Sequence, residues 1–378
     1  MKKIAILGVT GSIGRQALDI IQTHKDDFTL SYISAHSDFE GLVRVANQYK
    51  VPVVSYSGVG GDVNALHYPC RYFEGKESLV LGAESAEYDI FLNSVVGIAA
   101  LRPTLVAMQK GARIALANKE MLVCAGEYVM AQAERFSSEL IPVDSEHSAI
   151  FQCLRAGNKD DVDSLIITSS GGAYRDIPLE KLDEIDPARA LEHPNWKMGK
   201  KITADCATMV NKAFEVIEAK HLFGFPLEKI ETVIHRESIV HSMVRYKDGA
   251  VIAQLAEPDM RLPIQYAFTY PQREPSSVSK LPLHLDLTFR PVDMLRYPAF
   301  ACGLEAARKG GLYPCAYMSA DEIIVSSYLE NKIKYSEISD IFEKVFAHFS
   351  LGGTYLLQDV LLINEEVKQY TRSVIGDV

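Results

Sequence analysis

The chain has 378 residues, enough for two or three domains with ample core, and its 48% hydrophobic and 23% charged residues describe an ordinary globular protein. A formal net charge of −10 speaks against non-specific binding to nucleic acid or acidic membranes, so an anionic substrate would need local basic residues. No window approaches the roughly 18 apolar residues of a membrane span, and Met1-Lys2-Lys3 passes directly into a strand-like run, which supports neither a span nor a signal peptide. The expected location is the cytoplasm. Cys70, Cys124, Cys153, Cys206, Cys302 and Cys315 are scattered with no C-x-x-C pair, as expected of reduced thiols.

In chain order, Lys3 to Leu7 is predicted as a buried strand, Ile13 to Thr23 as a helix, Phe28 to Ser34 as a strand, Glu40 to Tyr49 as a helix and Val51 to Val54 as a strand. Tyr88 to Leu92 and Arg113 to Ala117 read as further strands, the second preceded by a helix from about Gly97 to Gln109. This alternation predicts an α/β fold that opens with a Rossmann-like, doubly wound parallel sheet. From Ser164 the strands lengthen: Glu231 to Ile234, Ser238 to Tyr246 and Ala250 to Leu255 are expected to pair antiparallel in a central α+β domain. Pro271, Pro275, Pro282, Pro291 and Pro298 punctuate a stretch with little periodicity, which reads as a connecting arm. Beyond it, Ser319-x-x-Glu322 has the form of a capping box opening a helix. Ser336 to Phe349 and Thr354 to Thr371 carry helical spacing, so a C-terminal helical bundle is expected.

Gly8-Val9-Thr10-Gly11-Ser12-Ile13-Gly14 lies between the first strand and helix, where a dinucleotide pyrophosphate would meet unpaired backbone N–H groups and the positive helix end; as a bare pattern such glycines also form plain strand-to-helix turns. After the second strand, Ala35-His36-Ser37-Asp38 has no carboxylate at the strand tip itself. His36 and Ser37 favour NADP, Asp38 keeps NAD open, and a plain polar loop fits as well. Asn118-Lys119-Glu120 follows a strand at its carboxyl end, where α/β sheets place ligands; as a bare tetrapeptide with Ala117 it also describes a surface turn.

Asp144-Ser145-Glu146 places two carboxylates one residue apart after the apolar run Leu140 to Val143. On an extended chain both point to one side, which suits a hard divalent cation, although such pairs also occur in solvated turns. Ser169-Ser170-Gly171-Gly172 can form a phosphate nest or an ordinary loop. His193-Pro194-Asn195-Trp196-Lys197-Met198-Gly199 holds the only Trp of the chain in a segment without periodicity: a lid over substrate, or an anchor for its loop. A helix from about Cys206 to Lys220 puts Asn211, Lys212 and Glu215 on one face, either as a functional cluster or as a solvated salt bridge.

These segments, with Ala207-Thr208-Met209-Val210 and Glu257-Pro258-Asp259-Met260-Arg261, stand in the order and spacing of one family: the chain resembles the 1-deoxy-D-xylulose 5-phosphate reductoisomerases from residue 1 to the C-terminal helices. The resemblance implies an NADPH-binding domain (1–143), a central catalytic and dimerisation domain (144–277), a linker arm (278–303), a C-terminal helical domain (304–378) and a homodimer. It implies conversion of a small phosphorylated sugar, 1-deoxy-D-xylulose 5-phosphate, to 2-C-methyl-D-erythritol 4-phosphate in non-mevalonate isoprenoid synthesis.

Carried over by position, Asp144, Glu146 and Glu215 would hold Mg²⁺ or Mn²⁺, and Lys119 and Ser145 would bind substrate oxygens nearby. Ser170, His193, Asn211 and Lys212 would hold the phosphate, and Trp196 with Met198 would close the lid. Thr10, Gly11, Ser12, Ile13, Asn118, Glu120 and Gly199 would contact NADPH. Cys206 departs from the family's usual Ser and replaces a phosphate-binding hydroxyl by a weaker thiol donor. Placed near the start of its helix, that thiol would lie in a positive field favouring thiolate. Two other classes share some features. A metal-requiring decarboxylating dehydrogenase would need arginine forks for carboxylates, and a Rossmann nucleotide sensor would need no cluster of carboxylates.

Overall fold

The structure is a computed structural model that describes residues 1–196 and 198–376; Lys197 of the predicted lid lies outside them. In chain order the elements are β1 (Lys2–Leu7), α1 (Ser12–Thr23), β2 (Phe28–Ala35), α2 (Phe39–Tyr49), β3 (Val53–Tyr56), β4 (Arg71–Glu74), α3 (Ser78–Ser85), β5 (Ile90–Asn93), α4 (Leu101–Gln109), β6 (Arg113–Leu116), α5 (Glu120–Arg135), β7 (Leu140–Pro142) and α6 (Ser145–Cys153). They continue with β8 (Val162–Ser169), α7 (Lys200–Thr208), α8 (Val210–Phe223), β9 (Ile230–Ile234), β10 (Val240–Tyr246), β11 (Val251–Leu255), α9 (Arg261–Thr269), β12 (Arg290–Pro291), α10 (Pro298–Lys309), α11 (Tyr313–Leu329), α12 (Glu337–His348) and α13 (Leu357–Ile375). The chain folds as two compact units: Met1–Met121 with Val129–Ser148 and Asp259–Ser279, and Leu122–Tyr128 with Ala149–Pro258 and Lys280–Val378.

The first unit holds a seven-stranded sheet in the order β4-β3-β2-β1-β5-β6-β7, with every pairing parallel. Ile4, Ala5, Ile6 and Leu7 are fully buried, as an unbroken apolar run must be in a sheet covered on both faces. The order of connection reverses between β1 and β5, which opens a crevice at the carboxyl ends of the strands, the edge where the turn after β1 and the tips of β6 and β7 also lie. Helix α1 turns Gly14, Ala17, Ile20 and Ile21 inward. Helix α9 folds back into this unit: Phe268 meets Phe28 edge-on at 5.8 Å, and Arg113 Nη1 donates to the Tyr270 carbonyl at 2.8 Å.

The second unit is built on a five-stranded sheet, β11-β10-β8-β9-β12. The expected antiparallel pairing holds for β10–β8, β10–β11 and β9–β12 and is corrected for one pair, β8 and β9, which run parallel. The connection from β8 to β9 contains α7 and α8, the helical crossover that parallel neighbours need. The helix expected from Cys206 to Lys220 is in fact two, broken at Met209, whose φ of 59° is left-handed. No Gly or Pro marks that break. The capping box at Ser319 is also corrected: Ser319 lies inside α11, fully buried, and its hydroxyl donates to the Cys315 carbonyl at 2.8 Å and meets Asn364 Oδ1 at 3.0 Å.

Gly126 of α5 faces His221 of α8 so closely that a Cβ there would lie 2.3 Å from the imidazole ring. Burial pushes His221 down to about 4 from 6.5. Between those pH values the unfolded chain binds a proton that the folded chain refuses, so the contribution of this group is complete above about 6.5 and is lost as the pH falls towards 4. Acidification from about pH 7 to about pH 5 is expected to cost about 2 kcal/mol through this one group. Urea unfolding at both pH values, in the native chain and in His221→Asn, measures it: the variant should lose the corresponding part of the pH slope.

Candidate active site

The glycine turn after β1 is shaped by its backbone. Gly8 has a φ of 81°, a conformation that side chains disfavour, and a Cβ on Gly14 would lie 2.3 Å from the Gly8 carbonyl oxygen. Gly11 precedes α1 with an extended backbone and no side-chain cap, so the first N–H groups of α1 are left to a ligand or solvent. Gly11 and Ser12 are exposed, Thr10 and Ile13 half-buried. At the tip of β2, Asp38 is committed to capping α2: its Oδ1 accepts from Gly41 N at 2.8 Å. His36 Nδ1 lies 3.1 Å from Ser57 Oγ, and Arg15 Nη2 is 3.8 Å from Asp38 Oδ2.

Neighbouring strands β6 and β7 deliver the next pair. Lys119 Nζ, 7% exposed as a residue, lies 2.5 Å from Asp144 Oδ2. The extended geometry expected for Asp144 and Glu146 is corrected: Asp144 immediately precedes α6 and Glu146 occupies its first turn, so the two share a helix start, a favourable place for negative charge. Ser145 Oγ donates to Glu146 Oε2 at 2.5 Å, and the fully buried His147 places Nδ1 3.8 Å from Asp144 Oδ2. Asn118 is 2% exposed and its amide is engaged by backbone: Nδ2 donates to the carbonyls of Val95 and Gly97, and Oδ1 accepts from Met121 N at 2.7 Å. It ties the start of α5 to the loop after β5. Glu120 opens α5, half-buried.

In the second unit, Ser170 follows β8 in a turn where Gly171 and Gly172 have φ of 80° and 65°. Its hydroxyl lies 3.1 Å from His193 Nε2 and accepts from Gly172 N at 3.2 Å. His193 Nδ1 accepts from two backbone N–H groups, Asn195 at 3.1 Å and Trp196 at 2.9 Å. An accepting Nδ1 cannot carry hydrogen, so these bonds assign the ring hydrogen to Nε2, donating towards Ser170. Arg175 Nη1 holds the Ser170 carbonyl at 3.0 Å. The indole of Trp196 lies half-buried against His241, with ring centroids 6.2 Å apart; Met198 is also half-buried, and Gly199 is the N-cap of α7.

The left-handed Met209 turns the chain from α7 into α8, whose first turns are buried: Asn211 is 8%, Lys212 4% and Glu215 1% exposed. Asn211 Nδ2 donates to Glu215 Oε1 at 2.6 Å and Lys212 Nζ donates to Glu215 Oε2, so the solvated-salt-bridge reading of this face is excluded. Burying such a cluster costs desolvation free energy, which folding alone gives no reason to spend. Cys206 lies in the last turn of α7, which corrects the expected helix start and reverses the field on its sulfur: a helix C-terminus disfavours thiolate. A Cβ on Gly172 would come within 2.2 Å of the Cys206 carbonyl oxygen, so the Ser170 turn packs directly on this end of α7. Cys206→Ser is expected to tighten binding of a phosphorylated ligand by no more than about 1 kcal/mol. Titration calorimetry checks this, and weaker binding by the variant would separate position 206 from the ligand.

Sequence reading missed several members of this arrangement: Arg175, His147, Asn195 as a hydrogen-bonding residue, and the ion triad of Lys201, Asp205 and Asp321. Lys201 Nζ meets Asp205 Oδ2 at 2.7 Å and also Asp321 Oδ2, with Asp321 more than a hundred residues away in the chain. The i,i+4 spacing of Lys201 and Asp205 was the only local signal.

The fold and these side chains define a dinucleotide-dependent enzyme acting on a polar, anionic substrate. Family models described as 1-deoxy-D-xylulose 5-phosphate reductoisomerase match residues 4–126, its C-terminal domain residues 140–223, and a DXP reductoisomerase C-terminal domain residues 255–370. Curated enzymes of this name from Clostridium perfringens (strain ATCC 13124) and Geobacillus kaustophilus are 44% and 43% identical, over 98% and 100% of both chains respectively. The solved Zymomonas mobilis reductoisomerase in complex with NADPH superposes with a TM-score of 0.92 at 35% identity, covering all of both chains. A DOX-P reductoisomerase in complex with NADPH, fosmidomycin and magnesium gives 0.92 at 33%, covering 100% of this chain and 98% of that one. The chain belongs to the 1-deoxy-D-xylulose 5-phosphate reductoisomerase family.

Proposed function

We infer that the chain converts 1-deoxy-D-xylulose 5-phosphate to 2-C-methyl-D-erythritol 4-phosphate with NADPH and a divalent cation, in the cytoplasm, as a step of isoprenoid precursor synthesis. The observation that carries this reading is the Lys119–Asp144 pair, with Ser145 and Glu146 beside it, on the same sheet edge as the glycine turn after β1. The donor set fits the metal: Asp144, Glu146 and Glu215 offer only carboxylate oxygens, the hard donors that Mg²⁺ and Mn²⁺ prefer. When bound there, the cation would polarise the substrate's oxygens and NADPH would supply hydride. Lys119 and Ser145 would orient those oxygens. Ser170, His193 through Nε2–H, Asn211 and Lys212 would bind the phosphate, with position 206 beside them, and Trp196 with Met198 would exclude water.

For the cofactor, Thr10, Gly11, Ser12 and Ile13 would cradle the pyrophosphate with backbone donors, while Asn118, Glu120 and Gly199 would shape the nicotinamide side. The commitment of Asp38 to Gly41, with Arg15 and His36 near the same strand tip, supports NADPH over NADH. The proposed division of labour follows the segments 1–143, 144–277, 278–303 and 304–378.

The arm supports a homodimer. Leu283, Leu285, Leu287 and Phe289 alternate along it and remain 86%, 40%, 37% and 45% exposed, and the edge strand β11 leaves Val251, Ile252 and Leu255 exposed in the same unit. An alternating apolar row and an open sheet edge call for a covering strand, which a second copy supplies. Among the described residues no helix is long and apolar enough to cross a membrane.

The decisive experiment follows NADPH oxidation with 1-deoxy-D-xylulose 5-phosphate, with and without Mg²⁺, and with fosmidomycin. Oxidation that needs both substrate and metal and is blocked by fosmidomycin is expected. Oxidation that survives chelation refutes the metal assignment, and a substrate carrying carboxylates turned over instead would favour the dehydrogenase reading.

A further inference from the structure

The loop that carries Trp196 is held by a closed circuit of hydrogen bonds, and Asn195 is the link that completes it. Starting from the Ser170 turn, Ser170 Oγ pairs with His193 Nε2 at 3.1 Å. Two residues on, Asn195 Nδ2 donates to the Arg236 carbonyl and to Ser238 Oγ, both at 2.7 Å. The same Arg236 carbonyl accepts from Arg175 Nη1 at 3.2 Å, and Arg175 Nη1 returns to the Ser170 carbonyl at 3.0 Å. Because a carbonyl can only accept, the group facing Arg236 must be the NH₂ of Asn195, which fixes the orientation of the amide.

The turn that receives Asn195 is itself rigid. Arg236 makes a two-pronged pair with Asp176, Nη1 to Oδ1 at 2.7 Å and Nη2 to Oδ2 at 2.5 Å. Ser238 is 7% exposed with a left-handed φ of 54°, a conformation that costs a non-glycine residue free energy and persists only where the surroundings enforce it. They do so here: His235 Nε2 accepts from Ile239 N at 3.2 Å and Val240 N at 3.0 Å, and its Nδ1 faces the Thr288 carbonyl at 2.9 Å. The left-handed turn aims the Ser238 hydroxyl at Asn195.

We propose that Asn195 is a positioning residue of the lid: its amide, gripped by Arg236 and Ser238, holds the loop so that His193 presents Nε2–H and Trp196 closes over a bound phosphorylated ligand. It acts through His193 and Trp196. The proposal rests on the reading of this loop as a lid over the phosphate site.

Trp196 is the only Trp of the chain, so its fluorescence reports the loop directly. The test uses the full-length enzyme with Mg²⁺ and NADPH, fosmidomycin as the probe, and the variants Asn195→Ala, Asn195→Asp and Ser238→Ala. In the native chain fosmidomycin should change Trp196 emission. Both Asn195 variants, which lose the amide donors, should bind fosmidomycin about tenfold or more weakly and raise KM for substrate with a much smaller effect on kcat. NADPH affinity and thermal stability should stay at the native level. Ser238→Ala, which removes one of the two acceptors, should fall between. A native chain whose Trp196 does not respond overturns the lid reading and this proposal with it. A native response together with fosmidomycin affinity and KM within twofold of native in both Asn195 variants overturns the proposal alone, as does a parallel loss of NADPH and fosmidomycin affinity.

Discussion

Glu215→Gln is expected to lower turnover by at least ~10²-fold while leaving NADPH affinity close to native, because the substitution removes a proposed metal donor from a buried position and leaves the proposed cofactor-binding residues of the glycine turn unaltered. Glu215 is 1% exposed and accepts from Asn211 Nδ2 at 2.6 Å and from Lys212 Nζ, so under the proposed function the carboxylate would organise two phosphate-binding donors as well as offer an oxygen to the cation. Glutamine keeps the volume and one accepting oxygen, but it brings no charge to offset the Lys212 ammonium. The two roles separate in the metal dependence: loss of a ligand raises the concentration of Mg²⁺ or Mn²⁺ needed for half-maximal rate, whereas mispositioned Lys212 raises KM for substrate at saturating metal. Glu146→Gln should act like the first of these, and combining it with Glu215→Gln should cost much less than the sum of the two if both serve one ion. Native turnover by Glu215→Gln in saturating Mg²⁺ ends the metal assignment.

The sheet of the first unit was legible because its strands are continuous apolar runs and its helices start at recognisable turns: Lys3 to Leu7 and Phe28 to Ser34 fall within β1 and β2, and Ile13 to Thr23 within α1. Elements built from mixed residues were not. β4 (Arg71–Glu74) is only four residues long, two half-buried side chains flanked by two exposed ones with no alternation, and α5 (Glu120–Arg135) starts inside a tetrapeptide read for its chemistry. The break at Met209 was hidden because left-handed backbone is normally signalled by Gly or Asn, whereas here Cys206 O, Thr208 Oγ1 and the buried packing of α8 impose it. That one residue decides on which helix end Cys206 lies, and so the sign of the field on its thiol. Ser319 misled for the opposite reason: its S-x-x-E spacing is local, but its hydroxyl is used inside α11 against Asn364 of α13. The candidate site shows the same division. Residue types and spacing pointed to Asp144, Glu146, Asn211, Lys212 and Glu215 as candidates, while the groups that brace the Asn195 loop and α7, the Arg236 turn and Asp321, come from distant segments that no local pattern connects.

Lys201→Met is expected to destabilise the second unit by roughly 2–3 kcal/mol, less than the removal of one partner from a fully buried ion pair, because the Lys201 side chain is 31% exposed while the two carboxylates it serves are buried. Lys201 sits in the first turn of α7 with its ammonium on Asp205 Oδ2 at 2.7 Å and on Asp321 Oδ2, and 5.4 Å above the Phe214 ring. Asp205 is 3% and Asp321 0% exposed. Methionine fills much the same volume without the charge, so the cost arises from two desolvated carboxylates that no longer share this cation. Asp321→Asn in the Lys201→Met background removes one of the two negative charges and should recover part of the loss, a coupling that independent sites would not show. The consequence for function follows from the covalent path: α7 runs from its N-cap Gly199, which ends the proposed lid segment, to the corner at Met209 that presents Asn211, Lys212 and Glu215. Loosening its anchor to α11 should weaken fosmidomycin binding at temperatures well below unfolding, with NADPH affinity retained. Denaturant unfolding of the native chain, Lys201→Met and the double variant decides it: a loss below about 1 kcal/mol would put this triad in the class of exposed ion pairs that contribute little.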